Sequence, residues 1–183
     1  MRAARRHVAL LRGINVGKAK RIAMADLRAL VASLGYLDVA TLLNSGNVVF
    51  TVPAASKGEP GPRIEKAIVE TLGVAARVTT LTADELAEVV RACPLLEVAK
   101  DPSRLLVAVL ADPADRPRLA ALARRDWGDE AFAVGARVAY VWMPRGVLES
   151  AAAKALEREF GGAVTSRNWT TVTKLASLAA ASG

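Results

Sequence analysis

The spacing of apolar residues predicts an α+β chain of two tandem βαββαβ subdomains, at residues 1–82 and 103–183, joined by a linking helix and loop at 83–102. Three observations carry this. Short apolar runs, too brief for helices, end at glycines or at an Asn/Ser/Gly cluster. Longer stripes at helical spacing lie between them. The same order of runs and stripes then recurs in the second half, and 183 residues suffice for two compact cores of roughly 90 residues each.

The first strand is His7 to Leu11, ending at Gly13. Met24, Leu27, Leu30, Val31 and Leu34 repeat at helical spacing and stop at Gly35, as a helix closed by a left-handed glycine does. Val39 to Leu43 and Val48 to Val52 flank Asn44-Ser45-Gly46-Asn47, which reads as a hairpin. Pro53 to Pro62 is a loop, Ile64, Ile68, Val69 and Leu72 share one helical face, and Arg77 to Leu81 is a fourth strand. This βαββαβ order is the ferredoxin-like pattern, with predicted strand order 4-1-3-2 and antiparallel neighbours.

Thr82 and Glu85 form a capping-box signature that opens a linking helix from Ala83 to Cys93, stopped by Pro94. In the second half Leu105 to Leu110 is a strand and Arg118 to Arg125 a helix entered through Asp115 and Pro117. Ala131 to Val134 and Arg137 to Trp142 form a hairpin turning at Gly135-Ala136, Leu148 to Phe160 is a helix, and Val164 to Ser166 is a short last strand. A terminal helix, Thr171 to Ala181, places Val172, Leu175, Ala176 and Ala179 with Trp169 on one face. The two halves share this architecture without residue-level similarity.

Composition bounds the function. Apolar residues make up 52% and charged residues 23%, the balance of a packed globule and not of a disordered chain. Charged residues interrupt every apolar run before the ~20 residues a bilayer requires, and the Arg-rich start lacks the pattern of a signal peptide, so a cytoplasmic protein without membrane contact is expected. One cysteine, Cys93, cannot form an internal disulfide, and one histidine, His7, cannot anchor a His-based metal site. No metal or cofactor is expected.

The net charge of +7 is concentrated at the N-terminal end, where residues 1–35 hold eight basic residues against Asp26 alone. Such a cluster attracts phosphates, nucleic acid or acidic partners, unless Arg2, Arg5 and Arg6 form only a solvated arm. In a 4-1-3-2 sheet the end of the first strand and the first hairpin lie at the same edge, so Arg12, Asn15 and Lys18 should converge with Asn44, Ser45 and Asn47. Arg12 supplies a planar fork suited to phosphate or carboxylate, and Gly13, Gly17 and Gly46 allow close backbone approach, although turn formation alone also explains these glycines and asparagines. The stretch is not a nucleotide-hydrolase phosphate loop, since Gly13 and Gly17 are one residue too close and Ala19 follows Lys18. Ser45 lacks the flanking glycine of a nucleophile elbow and a plausible histidine base.

A third polar stretch runs from Thr165 to Lys174. Asn168 or Thr170 caps the last helix and Trp169 anchors it, which leaves Arg167 and Lys174 open to an acidic ligand. Cys93 shares the apolar face of its helix with Leu86, Val89 and Val90 and should be buried, while Asp84, Glu85 and Glu88 form a solvated face.

Three stretches, ALLRGINVGKAKRIAMADLRALVASLG, LNSGNVVF and SRNWTTVTKL, make the chain resemble the bacterial domain-of-unknown-function family 1697 over nearly its whole length. The resemblance implies paired ferredoxin-like subdomains in a small cytosolic protein and brings no catalytic assignment. It matches Arg12, Asn15, Ser45, Asn47, Arg167, Asn168 and Lys174 to the family's polar positions, and Arg21 to its basic residue before the first helix. The chain departs from the family where Val16-Gly17-Lys18 has one glycine fewer, and where Asn44 and Thr170 replace the usual Gln and Asn.

The favoured expectation is a binding module for a phosphate-bearing small molecule or nucleic acid at the edge made by the Arg12–Lys18 loop and the Asn44–Asn47 hairpin. The alternatives are a metal-independent enzyme acting on a small acidic or phosphorylated metabolite, with Arg12 and Lys18 binding its anion, and a structural or assembly protein whose polar loops are only turns.

Overall fold

A computed structural model describes residues 3–17 and 21–181. In chain order it runs β1 (Arg5–Arg12), α1 (Met24–Ser33), β2 (Leu37–Leu42), β3 (Asn47–Val52), α2 (Pro60–Leu72), β4 (Arg77–Thr82) and α3 (Ala83–Arg91). The second half runs β5 (Leu105–Leu110), α4 (Arg116–Ala123), β6 (Ala131–Val134), β7 (Val138–Trp142), α5 (Ala151–Phe160), β8 (Val164–Asn168) and α6 (Trp169–Ala180). The strands form two four-stranded antiparallel sheets, ordered β2-β3-β1-β4 and β6-β7-β5-β8, which is the expected 4-1-3-2 arrangement twice over. Two compact units result, residues 1–86 with 175–183 and residues 87–174.

In the first unit the alternation of β1 places Ala9 and Leu11 on the face covered by α1 and α2. There they join Val48, Phe50, Leu27, Val31, Ile64 and Ile68 in one buried cluster. Val8, Leu10, Val49 and Leu81 are buried on the opposite face. Each such side chain contributes roughly 1.5–3 kcal/mol on burial. Arg63 ties this core to its rim, donating to the Leu34 carbonyl at 3.2 Å, to Tyr36 Oη at 3.2 Å and to Ser56 Oγ at 3.0 Å.

In the second unit Ala108, Leu110, Ala139 and Val141 pack against Leu119 and Leu122 of α4 and Leu156 and Phe160 of α5. The other face buries Val107, Val109 and Tyr140, and Tyr140 Oη donates to the Val89 carbonyl of α3 at 2.7 Å. Burial pushes the Tyr140 phenol up to about 12.

Several boundaries differ from expectation for local reasons. The strand β1 begins at Arg5, and Arg6 donates to the Asp38 carbonyl at 3.0 Å and to Thr51 Oγ1 at 3.2 Å, so Arg5 and Arg6 are part of the sheet and not a solvated arm, while Arg2 lies outside the described residues. The helix α2 starts at Pro60, inside the stretch expected to be loop, because prolines in a first turn lack only N–H groups that no helix carbonyl would accept. The helix α4 starts at Arg116, two residues early, with Pro117 in its first turn.

The expected start of α5 at Leu148 is also corrected: Ser150 Oγ accepts from Ala153 N at 2.9 Å, and the buried carboxylate of Glu130 accepts from Ala151 N at 2.8 Å. This double cap sets the first turn three residues later and leaves Leu148 86% exposed. The capping box of α3 forms as expected, Thr82 N donating to Glu85 Oε2 at 2.7 Å and Glu85 N to Thr82 Oγ1 at 3.1 Å.

Candidate functional site

The end of β1 and the first hairpin meet. Leu11 N donates to the Gly46 carbonyl at 2.8 Å, continuing the β1–β3 ladder past Leu10 and Asn47. Gly46 holds φ +80°, and a Cβ there would lie 2.7 Å from Leu11 Cβ and 2.8 Å from Ile14 Cδ1. This glycine therefore serves both the turn and the close approach of the two segments.

The amides at this edge do the joining. Asn15, at φ 54°, donates through Nδ2 to the carbonyls of Asn44 at 2.5 Å and Ile22 at 3.2 Å, and its Oδ1 accepts from Ile22 N at 2.8 Å. Asn47 is fully buried and donates to the Leu42 carbonyl at 2.9 Å and to Ser45 Oγ at 2.8 Å. The Asn15, Ser45 and Asn47 side chains thus build the turn itself.

Two clefts open around this edge. The first, about 480 Å³, is lined by Asn15, Arg21, Ile22, Ala23, Met24 and Asn44. It lies over the start of α1, whose N-cap Ala23 has no side chain able to satisfy the first-turn N–H groups. Arg21 and Asn44 are both exposed there. The second cleft, about 590 Å³, holds Arg12 and Gly13 with Pro62, Glu65, Lys66, Val69, Ala75, Ala76 and Arg77. Arg12 is thus assigned to a different cleft from Arg21, and Lys18 lies outside the described residues.

The third polar stretch belongs to the other unit. Arg167 donates to the Ser166 carbonyl at 2.8 Å, and Asn168 Oδ1 accepts from Thr171 N at 2.9 Å as the cap of α6. Trp169 and Val172 are buried and Lys174 is exposed. Burial pushes the Cys93 thiol up, away from the reactive thiolate range. Among the described residues no group of three or more His, Cys, Asp or Glu could hold a metal ion, and no helix is long and apolar enough to cross a membrane.

Arg77 and Lys66, which line the second cleft, are not among the ligand-binding residues expected from the sequence. Both were within reach: in an antiparallel β1–β4 pair the end of one strand opposes the start of the other, which sets Arg77 opposite Arg12. Pro62, Lys66 and Val69, at spacings of four and three, share one face of α2.

The fold closely matches a solved structure of a conserved bacterial protein from Streptococcus pneumoniae, at TM-score 0.79 and 24% identity over 97% of this chain and 99% of that one. No curated protein matches the sequence. The model of a family described as a protein of unknown function, DUF1697, matches residues 4–140. That stretch takes in the complete first sheet, both clefts and the second unit as far as β7, and on it the chain belongs to the DUF1697 family.

Proposed function

We propose that this protein is a binding module for a phosphate-bearing ligand, a nucleotide or nucleic acid, held at the loop–hairpin edge. The observation that carries the reading is the first cleft, where an exposed guanidinium, Arg21, and an exposed amide, Asn44, flank a helix start that no side chain caps. First-turn N–H groups without a side-chain cap favour an anion, and the Arg21 fork suits a phosphate oxygen pair. Asn15 contributes by holding the two walls together. His7 is five residues from Arg12 along β1, about 17 Å at strand rise, so the single histidine is placed at the other end of the sheet and not beside this cleft.

The test is a thermal-shift panel of inorganic phosphate, nucleotides, sugar phosphates and oligonucleotides at low and moderate salt, repeated on Arg21→Ala. A ligand at a hundred times its Kd should add about 2.7 kcal/mol of stability. Removing Arg21 should weaken it by roughly tenfold, the lower end of the value of a charge-assisted bond, without changing the ligand-free melting temperature. A panel with no stabilising phosphate compound, or an Arg21→Ala protein that binds as well as the parent, defeats the reading.

A further inference from the structure

The second cleft carries positive charge that the loop–hairpin edge does not account for. Arg12 at the end of β1 and Arg77 at the start of β4 are Cα partners across the antiparallel pair, and both line the cleft with Lys66 of α2. Two guanidinium groups at one register, in a concave wall, concentrate positive potential. The carboxylate on the same cleft, Glu65, is engaged in the fold: its Oε1 accepts from Val78 N at 2.9 Å and pins α2 to β4. Lys66 sits 3.7 Å from Glu70, an exposed helix pair that is easily exchanged for another anion.

Gly13 lines the second cleft and Asn15 the first, two positions apart and so within about 7 Å of each other along the chain. The residues lining the two clefts include no aromatic ring on which a base could stack. What the clefts offer is therefore contact with phosphates along a backbone, which positions a nucleic acid without reading its sequence.

Resting on the reading above, we infer that the Arg12–Lys66–Arg77 cleft is a second backbone contact for a nucleic acid that also engages the Arg21–Asn44 cleft. The ligand is then an extended polyanion and not a mononucleotide.

The experiment measures binding of a labelled 12-base-pair DNA duplex of mixed sequence, and of a mononucleotide, across salt concentrations for the parent, Arg77→Ala, Lys66→Ala, Arg77→Lys and Arg21→Ala. Each lost phosphate contact should lower the salt slope by about 0.9, and affinity at 0.1 M salt by about eightfold. That loss is expected in Arg77→Ala, Lys66→Ala and Arg21→Ala, with Arg77→Lys near the parent.

A duplex whose binding is unchanged in Arg77→Ala and Lys66→Ala but weakened in Arg21→Ala overturns the inference and leaves the loop–hairpin reading standing. So does stabilisation by a mononucleotide with no duplex binding. Loss confined to Arg77→Ala and Lys66→Ala overturns the two-cleft contact together with the role of Arg21, and binding of neither probe overturns both proposals. A slope lost equally in Arg77→Lys, with a lowered melting temperature, assigns the effect to folding and overturns the inference.

Discussion

Asn15 grips the backbone of Ile22 at both of its polar groups, accepting from its N–H at 2.8 Å and donating to its carbonyl at 3.2 Å. One side chain therefore closes the loop between β1 and α1, and its further bond to the Asn44 carbonyl joins that loop to the hairpin. The first cleft has its shape because of this residue.

Asn15→Ala should lower stability by about 1–3 kcal/mol, since it removes the side-chain bonds and leaves a residue that tolerates φ 54° poorly. Asn15→Gly loses the same bonds but accepts the backbone conformation, so it should fall between alanine and the parent. Urea unfolding of the three proteins checks the order, and equal stability of the alanine variant and the parent contradicts the clamp.

Gly46→Ala should cost about 2–4 kcal/mol, combining the left-handed penalty with the displacement of Leu11 and Ile14 by the new methyl group. For a chain of this size that is a melting temperature lower by roughly 5–15 °C, readable by circular dichroism. Gly73→Ala is the comparison: it too has positive φ, but nothing lies within 4 Å of the added Cβ, so it should cost only the backbone term.

Asn168→Ala should cost about 1 kcal/mol through loss of the α6 cap, with faster amide exchange in the first turn, while Asn168→Asp keeps the acceptor and should stay near the parent. An unchanged exchange rate at Thr171 in the alanine variant rules the cap out.

Tyr140 supplies a pH dependence at the alkaline end. Burial raises its phenol from 10.0 to about 12, so the folded protein holds a proton that the unfolded chain releases. The unfolded state binds fewer protons between these values, so stability is fully present below pH 10 and declines as pH rises to about 12, by about 2–3 kcal/mol in total. Tyr140→Phe should lose that decline, at a cost near 1 kcal/mol for the missing bond to the Val89 carbonyl. The difference in unfolding free energy between the two proteins from pH 9 to 12 is the measurement, and parallel curves refute it.

Much of the fold was legible because its signals are local. Leu27, Leu30 and Val31 mark a helix by spacing alone, Thr82 and Glu85 announce a capping box, and the Asn44 to Asn47 cluster can only turn the chain. The sheet order followed from the βαββαβ sequence of elements and short connections, and with it the meeting of Leu11 and Gly46. The start of α5 was not legible, because it depends on Glu130, twenty residues before Ser150, being folded back onto the first turn.

The sequence by itself determined the two-sheet architecture, the burial of Cys93, the stripe of the terminal helix and the meeting of loop and hairpin. These depend on side-chain period, turn chemistry and chain connectivity. Tertiary structure alone decided that the Asn15 and Asn47 amides are consumed inside the fold, that Arg12 lines a different cleft from Arg21, and that Arg77 stands opposite Arg12. The physical reason is that a polar side chain has several partners within reach of its sequence position, and only the register of neighbouring strands and the packing of α2 against β4 select among them.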